Sequence, residues 1–104
     1  MQYVLSKFKI RTGKVESTRK FLESLHAHHQ SEMAIVLKEA NMNIDCSFID
    51  GEYLFIFKRL ELLEHLKQKI SSSNLKIYEE IRNWYNDSIE SREDLFAVAA
   101  FDPS

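Results

Sequence analysis

Residues 43–59 read NIDCSFIDGEYLFIFKR, two runs rich in β-branched and aromatic side chains with Asp50-Gly51 between them. Asp-Gly supplies the positive φ angles of a type I′ turn, so a hairpin is the strongest local expectation in the chain. With Ile49 set opposite Glu52, the register pairs Phe48 with Tyr53, Cys46 with Phe55 and Ile44 with Phe57 on one face. Ser47/Leu54 and Asp45/Ile56 share the other. The first face is wholly apolar and aromatic and is expected to meet the helices; the second is mixed.

A two-stranded hairpin needs further strands and a covering layer to be stable. The alternation from Tyr3 to Arg11 supplies a third strand, with Val4, Ser6, Phe8 and Ile10 on one face and Tyr3, Leu5, Lys7, Lys9 and Arg11 on the other. Thr12-Gly13 breaks that pattern. From Lys14 the period changes to Val15, Thr18, Phe21, Leu22 and Leu25, a stripe that one side of a helix buries. Met33, Val36, Leu37 and Ala40 continue in helical spacing, but one helix from Lys14 to Asn41 would run about 42 Å at ~1.5 Å per residue. A break is therefore expected near Gln30-Ser31, with Ser31 capping a second short helix. After the hairpin a helix is expected over Leu60 to Ile70. SSSN reads as a loop, and Asn74 is placed to cap a helix that buries Ile77, Tyr78, Ile81, Trp84 and Tyr85. Asp94 to Phe101 (DLFAVAAF) reads as a last strand.

Strand, helices, strand, strand, helices, strand is the split βαβ order of an α+β ferredoxin-like domain (βαββαβ, four-stranded antiparallel sheet), here a single domain over residues 1–104. Helices would cover one sheet face only. The other is expected to show Leu5, Ile49, Leu54 and Ile56 among Lys7, Lys9, Asp45 and Ser47, more apolar surface than a monomer usually exposes. A homodimer through that open face is the simplest cover, and it would let Lys7 or Lys9 of one subunit meet Asp45 of the other.

The chain carries 14 Lys plus Arg against 16 Asp plus Glu, which gives no electrostatic reason for a nucleic-acid or membrane-surface partner. No apolar run reaches the ~18 residues of a membrane span. The single cysteine, Cys46, excludes an internal disulfide and cysteine-based zinc motifs and suits a cytoplasmic protein.

Lys7-Phe8-Lys9-Ile10, then Gly13-Lys14, and the late NWYNDSI resemble motifs of the dimeric α+β barrel superfamily, closest in feel to small bacterial proteins of similar length. That resemblance implies paired ferredoxin-like subunits, each with a pocket between sheet and helices. The superfamily includes heme-degrading and cofactor-free monooxygenases, isomerases, mutarotases and binding proteins, so membership alone does not fix the chemistry. His26, Val36-Leu37-Lys38 and Trp84-Tyr85 also match L-rhamnose mutarotases in spacing. The chain departs from them at Leu22, where those enzymes have a tyrosine, and at Tyr85, where they have a second tryptophan. The likeness implies proton transfer by His26 beside an aromatic sugar platform.

Three of the four histidines fall in Leu25-His26-Ala27-His28-His29. At ~100° per residue His29 continues the buried stripe while His26 and His28 flank it on opposite sides, so they do not converge on one ion and no metal is expected. Polar or solvated helix-end histidines remain an alternative to a catalytic or ligand-binding role for His26 or His29. His65 reads as a surface or rim residue. Phe48, Tyr53, Phe55, Phe57, Tyr78, Trp84 and Tyr85 would converge between sheet and helices, as packed core or as a pocket wall whose polar tips are Tyr53, Tyr85 and His26. Cys46 on that face would be buried and inert. Gly13-Lys14 lacks the rest of a phosphate loop.

The expected protein therefore binds a small molecule in an aromatic pocket and needs no cofactor. His26 is the candidate catalytic residue, and His29, Tyr53, Trp84 and Tyr85 are the candidate ligand contacts. A mutarotase or isomerase using His26 is the alternative, followed by a monooxygenase.

Overall fold

A computed structural model describes residues 1–103. Its elements are β1 (Gln2–Ile10), α1 (Val15–His28), α2 (Gln30–Glu39), β2 (Met42–Asp50), β3 (Tyr53–Leu60), α3 (Leu63–Ser72), α4 (Lys76–Ser88) and β4 (Ile89–Phe96). The strands form one antiparallel sheet in the order β2-β3-β1-β4, as expected of a ferredoxin-like domain.

Alternation in β1 holds as read. Val4, Ser6, Phe8 and Ile10 are buried under the helices, and they stand beside Leu54, Ile56, Lys58 and Leu60 of β3. That pairing decides which hairpin face is covered, and it reverses the expectation. Ile49, Leu54, Ile56, Asp45 and Ser47 lie on the helix side, so Asp45 is not placed to meet Lys7 or Lys9 of a second copy. The aromatic face is open. Across it run two rows, Cys46–Phe57–Leu5–Leu95 and Phe48–Phe55–Lys7–Glu93. Cys46 is exposed rather than buried, and Phe48 is 59% exposed.

The hairpin turns one residue later than expected. Asp50 pairs with Tyr53, so Gly51-Glu52 forms the loop and Phe48 faces Phe55 instead of Tyr53. Gly51 has φ +60° while Glu52 keeps a negative φ, the glycine-first pattern of a II′ turn rather than the I′ turn expected. The slip moves each cross-strand partner by two residues, which leaves the face assignments within the hairpin unchanged.

The break between the first two helices falls at His29 (φ −129°, ψ 32°), and no Ser31 side chain caps α2. Helix α3 begins at Leu63, because Leu60 still belongs to β3; its first N–H donates to Gln2 Oε1 at 2.7 Å, tying the helix to β1. Asn74 does not cap α4, whose start is closed by Tyr78 N–H donating to the Leu75 carbonyl at 3.1 Å. Strand β4 follows α4 without a loop and ends at Phe96, so the expected strand over Asp94 to Phe101 overlaps it only at its start. Beyond it, Asp102 accepts from Tyr3 Oη at 3.0 Å and pairs with Arg59 at 2.6 Å, which lays the tail over the central strands β1 and β3 on the open sheet face.

Two hydrophobic clusters hold the layers together. One joins Val4, Met42 and Leu60 of the sheet to Leu25, Val36, Leu63, Leu66, Ile77 and Tyr78 of the helices. The other joins Phe8, Ile10, Leu54, Ile56 and Ile89, with Trp84 and Tyr85 packed against it. Each fully buried aliphatic side chain contributes about 1.5–3 kcal/mol. Apolar packing is interrupted between the clusters.

Candidate functional site

The interruption is a cavity of about 1420 Å³ between the sheet and all four helices, open to solvent along the edge strand β2, where Asp45 and Ser47 are exposed. Phe21 and Leu22 of α1, Met33 and Leu37 of α2, Ile70 of α3 and Ile81 of α4 give it apolar walls. Trp84 stacks on Phe21 with ring centroids 5.3 Å apart and 12° between planes, and its Nε1–H donates to Thr18 Oγ1 at 3.3 Å. Tyr85 meets Phe8 edge-on at 6.0 Å. The wall is therefore a set of fixed aromatic planes, suited to a flat or apolar ligand body.

The floor is charged. Lys58 projects from β3 between Ile56 and Leu60, is 5% exposed, and its Nζ has no hydrogen-bond partner among the described residues. Burial lowers its pKa to about 8, with Asp45 opposing the shift and Arg92 adding to it. Lys58 Nζ and Arg92 Cζ lie 5.8 and 4.9 Å from the Phe8 ring centroid. Asp45, directly across from Lys58, borders the cavity: water reaches it, but protein walls it in, and this burial raises its pKa against the pull of Lys58.

Beside them, Asp94 gathers the remaining donors. It accepts from Ser6 Oγ at 2.6 Å, Arg92 Nε at 2.9 Å and Lys67 Nζ at 2.7 Å. Burial pushes its carboxyl up, but these three donors outweigh burial and hold it at about 2. Lys67 and one edge of Arg92 are thus satisfied by protein, whereas Lys58 is not.

Of the residues singled out from the sequence, Trp84, Tyr85 and His26 border this one cavity, with His26 exposed at its rim. His29 is half-buried in the helix break, 3.8 Å from Glu32, and lines a separate groove of about 490 Å³ between α1 and α4. Tyr53 lies on the open sheet face under Lys7 and Lys9, whose Nζ atoms are 4.5 and 5.0 Å from its ring. Lys58, Arg92 and Asp94 were missed. The row Leu54, Ile56, Lys58, Leu60 shows one lysine in an apolar alternation, a signal that becomes visible once that face is known to be covered.

No protein-family model matches the chain, and no curated protein matches its sequence. Solved structures do match. An L-rhamnose mutarotase from Formosa agariphila is 16% identical with a TM-score of 0.60, and an uncharacterized NIPSNAP domain protein from Burkholderia xenovorans is 17% identical with a TM-score of 0.59; both alignments cover 100% of both chains. A Nitrosomonas europaea protein of unknown function aligns over 99% of this chain and 94% of its own, at 12% identity and a TM-score of 0.60. These likenesses show the fold. It is the ferredoxin-like fold expected from the order of strands and helices, and it comes with several different names attached. Among the described residues no helix is long and apolar enough to cross a membrane, and no three His, Cys, Asp or Glu side chains gather as a metal site.

Proposed function

We propose that the chain is a small-molecule-binding protein whose ligand occupies the cavity between sheet and helices, and that it works as a homodimer joined through the open sheet face. The cavity itself carries the reading. A volume of about 1420 Å³ separating two hydrophobic clusters forgoes packing that the chain would otherwise gain, and its aromatic walls are held by a ring stack and a hydrogen bond. Trp84 and Tyr85 are the wall contacts, and His26 is a polar group at the rim. Exposed Phe48 and Leu95 on the aromatic sheet face support a second copy as its cover.

The test uses Trp84, the only tryptophan, as reporter. A neutral apolar dye, 1-N-phenylnaphthylamine, is expected to brighten saturably and to quench Trp84 by energy transfer, and Ile81→Trp, which pushes a larger ring into the cavity, is expected to weaken binding several-fold while the far-UV circular dichroism stays native. No saturable binding by the native protein overturns the reading.

A mutarotase-like activity is a second reading, favoured by His26 bordering the same cavity as Trp84 and Tyr85. Histidine at the rim would exchange a proton with a sugar seated on those rings. Saturation-transfer NMR with free monosaccharides checks it: exchange above buffer that falls in His26→Ala supports it, and native exchange at the buffer rate refutes it.

A further inference from the structure

The cavity floor carries a cation that the protein itself does not satisfy. Lys58 is buried, its three N–H donors find no acceptor among the described residues, and its cross-strand neighbour Asp45 makes no hydrogen bond to it. A buried donor left without a partner is costly, so such a group in a cavity marks a place where a ligand supplies the acceptor. Arg92 stands on the same floor with its Nε committed to Asp94, and its other contact, to Ser6 Oγ, is a long 3.5 Å. Asp94 in turn is filled by Ser6, Arg92 and Lys67. Of the cations lining the space, Lys67 and Arg92 already share Asp94, which leaves Lys58 as the one without an acceptor among the described residues. Arg82 points elsewhere, donating to the carbonyl of Ile70 at 2.8 Å.

We infer that the ligand is an amphipathic carboxylate, its anionic head accepting hydrogen bonds from Lys58 and Arg92 and its apolar body lying against Trp84, Tyr85 and Phe21. This rests on the binding reading above and names the ligand class for the same site. A carboxylate's two oxygens match two cationic donors on one floor. The aromatic walls accept either an alkyl chain or a flat ring.

Displacement of bound 1-N-phenylnaphthylamine separates the possibilities. Decanoate is compared with decanol, and 2-naphthoate with 2-naphthalenemethanol, at pH 7. Each carboxylate is expected to displace the dye at about tenfold lower concentration than its neutral partner, the worth of one charge-assisted contact. The better of the two carboxylates tells an aliphatic from an aromatic ligand. Lys58→Met is expected to lose the carboxylate preference, read as the carboxylate-to-alcohol displacement ratio within each protein so that any change in dye affinity cancels, and Lys58→Arg to keep it. If the dye binds but carboxylate and alcohol compete equally, or if the preference survives in Lys58→Met, this inference is overturned while the binding reading stands. If the dye never binds, the binding reading fails and the inference falls with it.

Discussion

Asp45 and Lys58 are direct cross-strand partners on β2 and β3, yet no hydrogen bond joins their side chains, and the lysine is the more deeply buried of the two. Its charged form is therefore disfavoured in the native state, despite the attraction of Asp45 and Asp94 and against the added repulsion of Arg92 and Lys67.

A pH dependence follows. The native pKa of about 8 lies below the unfolded value of 10.5, so between these the unfolded chain binds more protons and stability rises with pH. The shift corresponds to a penalty on the order of 3 kcal/mol below pH 8, at ~1.36 kcal/mol per unit. Urea denaturation of the native protein is expected to show stability increasing from pH 8 to 10. Lys58→Met is expected to be flat over that interval and more stable at pH 7 by about 1–3 kcal/mol, as when a buried unpaired charge is removed. Parallel pH curves for the two proteins would refute the assignment.

Asp94 works in the opposite sense. Its pKa is depressed from 3.8 to about 2, so its stabilisation is full above pH 3.8 and is lost as pH falls through 2. Asp94→Asn is expected to cost about 2 kcal/mol at pH 7, and the difference from the native protein should shrink on acidification. Chemical denaturation at pH 7, 4 and 2.5 measures it.

Tyr78 is fully buried, and its Oη donates to Glu39 Oε1 at 2.9 Å, with Lys69 holding the other carboxylate oxygen at 3.5 Å. Tyr78→Phe keeps the ring packing and removes one hydrogen bond to a charged acceptor, for an expected loss of about 1–2 kcal/mol in urea. The dye should bind unchanged, because Tyr78 belongs to the cluster beside the cavity and not to its wall.

Across the open face, Phe57 stands between Cys46 and Leu5 in the most apolar row of the sheet. If a second copy covers that row, Phe57→Glu buries a charge at the interface and is expected to turn a sedimenting species of twice the chain mass into a monomer. A native protein that sediments as a monomer at micromolar concentration would contradict the dimer.

Periodicity made most of the fold readable: the alternation of β1, the apolar stripes of α1 and α4 and the turn near Gly51 all lie where residue spacing puts them, within a residue or two. The covered face did not follow from the same logic. Tyr53, Phe55 and Phe57 outweigh Leu54, Ile56 and Lys58 in apolar area, so hydrophobicity points the aromatic side inward. Only pairing with β1 shows that Val4, Ser6 and Phe8 align with the aliphatic row that contains a lysine. Reading β4 about five residues late had a second effect: Arg92 fell outside the expected strand and Asp94 at its very start. Trp84 and Tyr85 were legible as a buried helix face, but whether they bound a cavity or filled it depends on the gap between two clusters, and spacing does not encode a gap.

The most direct test is one titration. In protein labelled at lysine Cε, a single lysine resonance is expected to titrate near pH 8, to vanish in Lys58→Met, and to move to higher pH when decanoate is added, because a bound carboxylate favours the charged amine. All lysines titrating together near 10.5, with and without decanoate, would contradict a buried, unpartnered Lys58 at the floor of a ligand cavity.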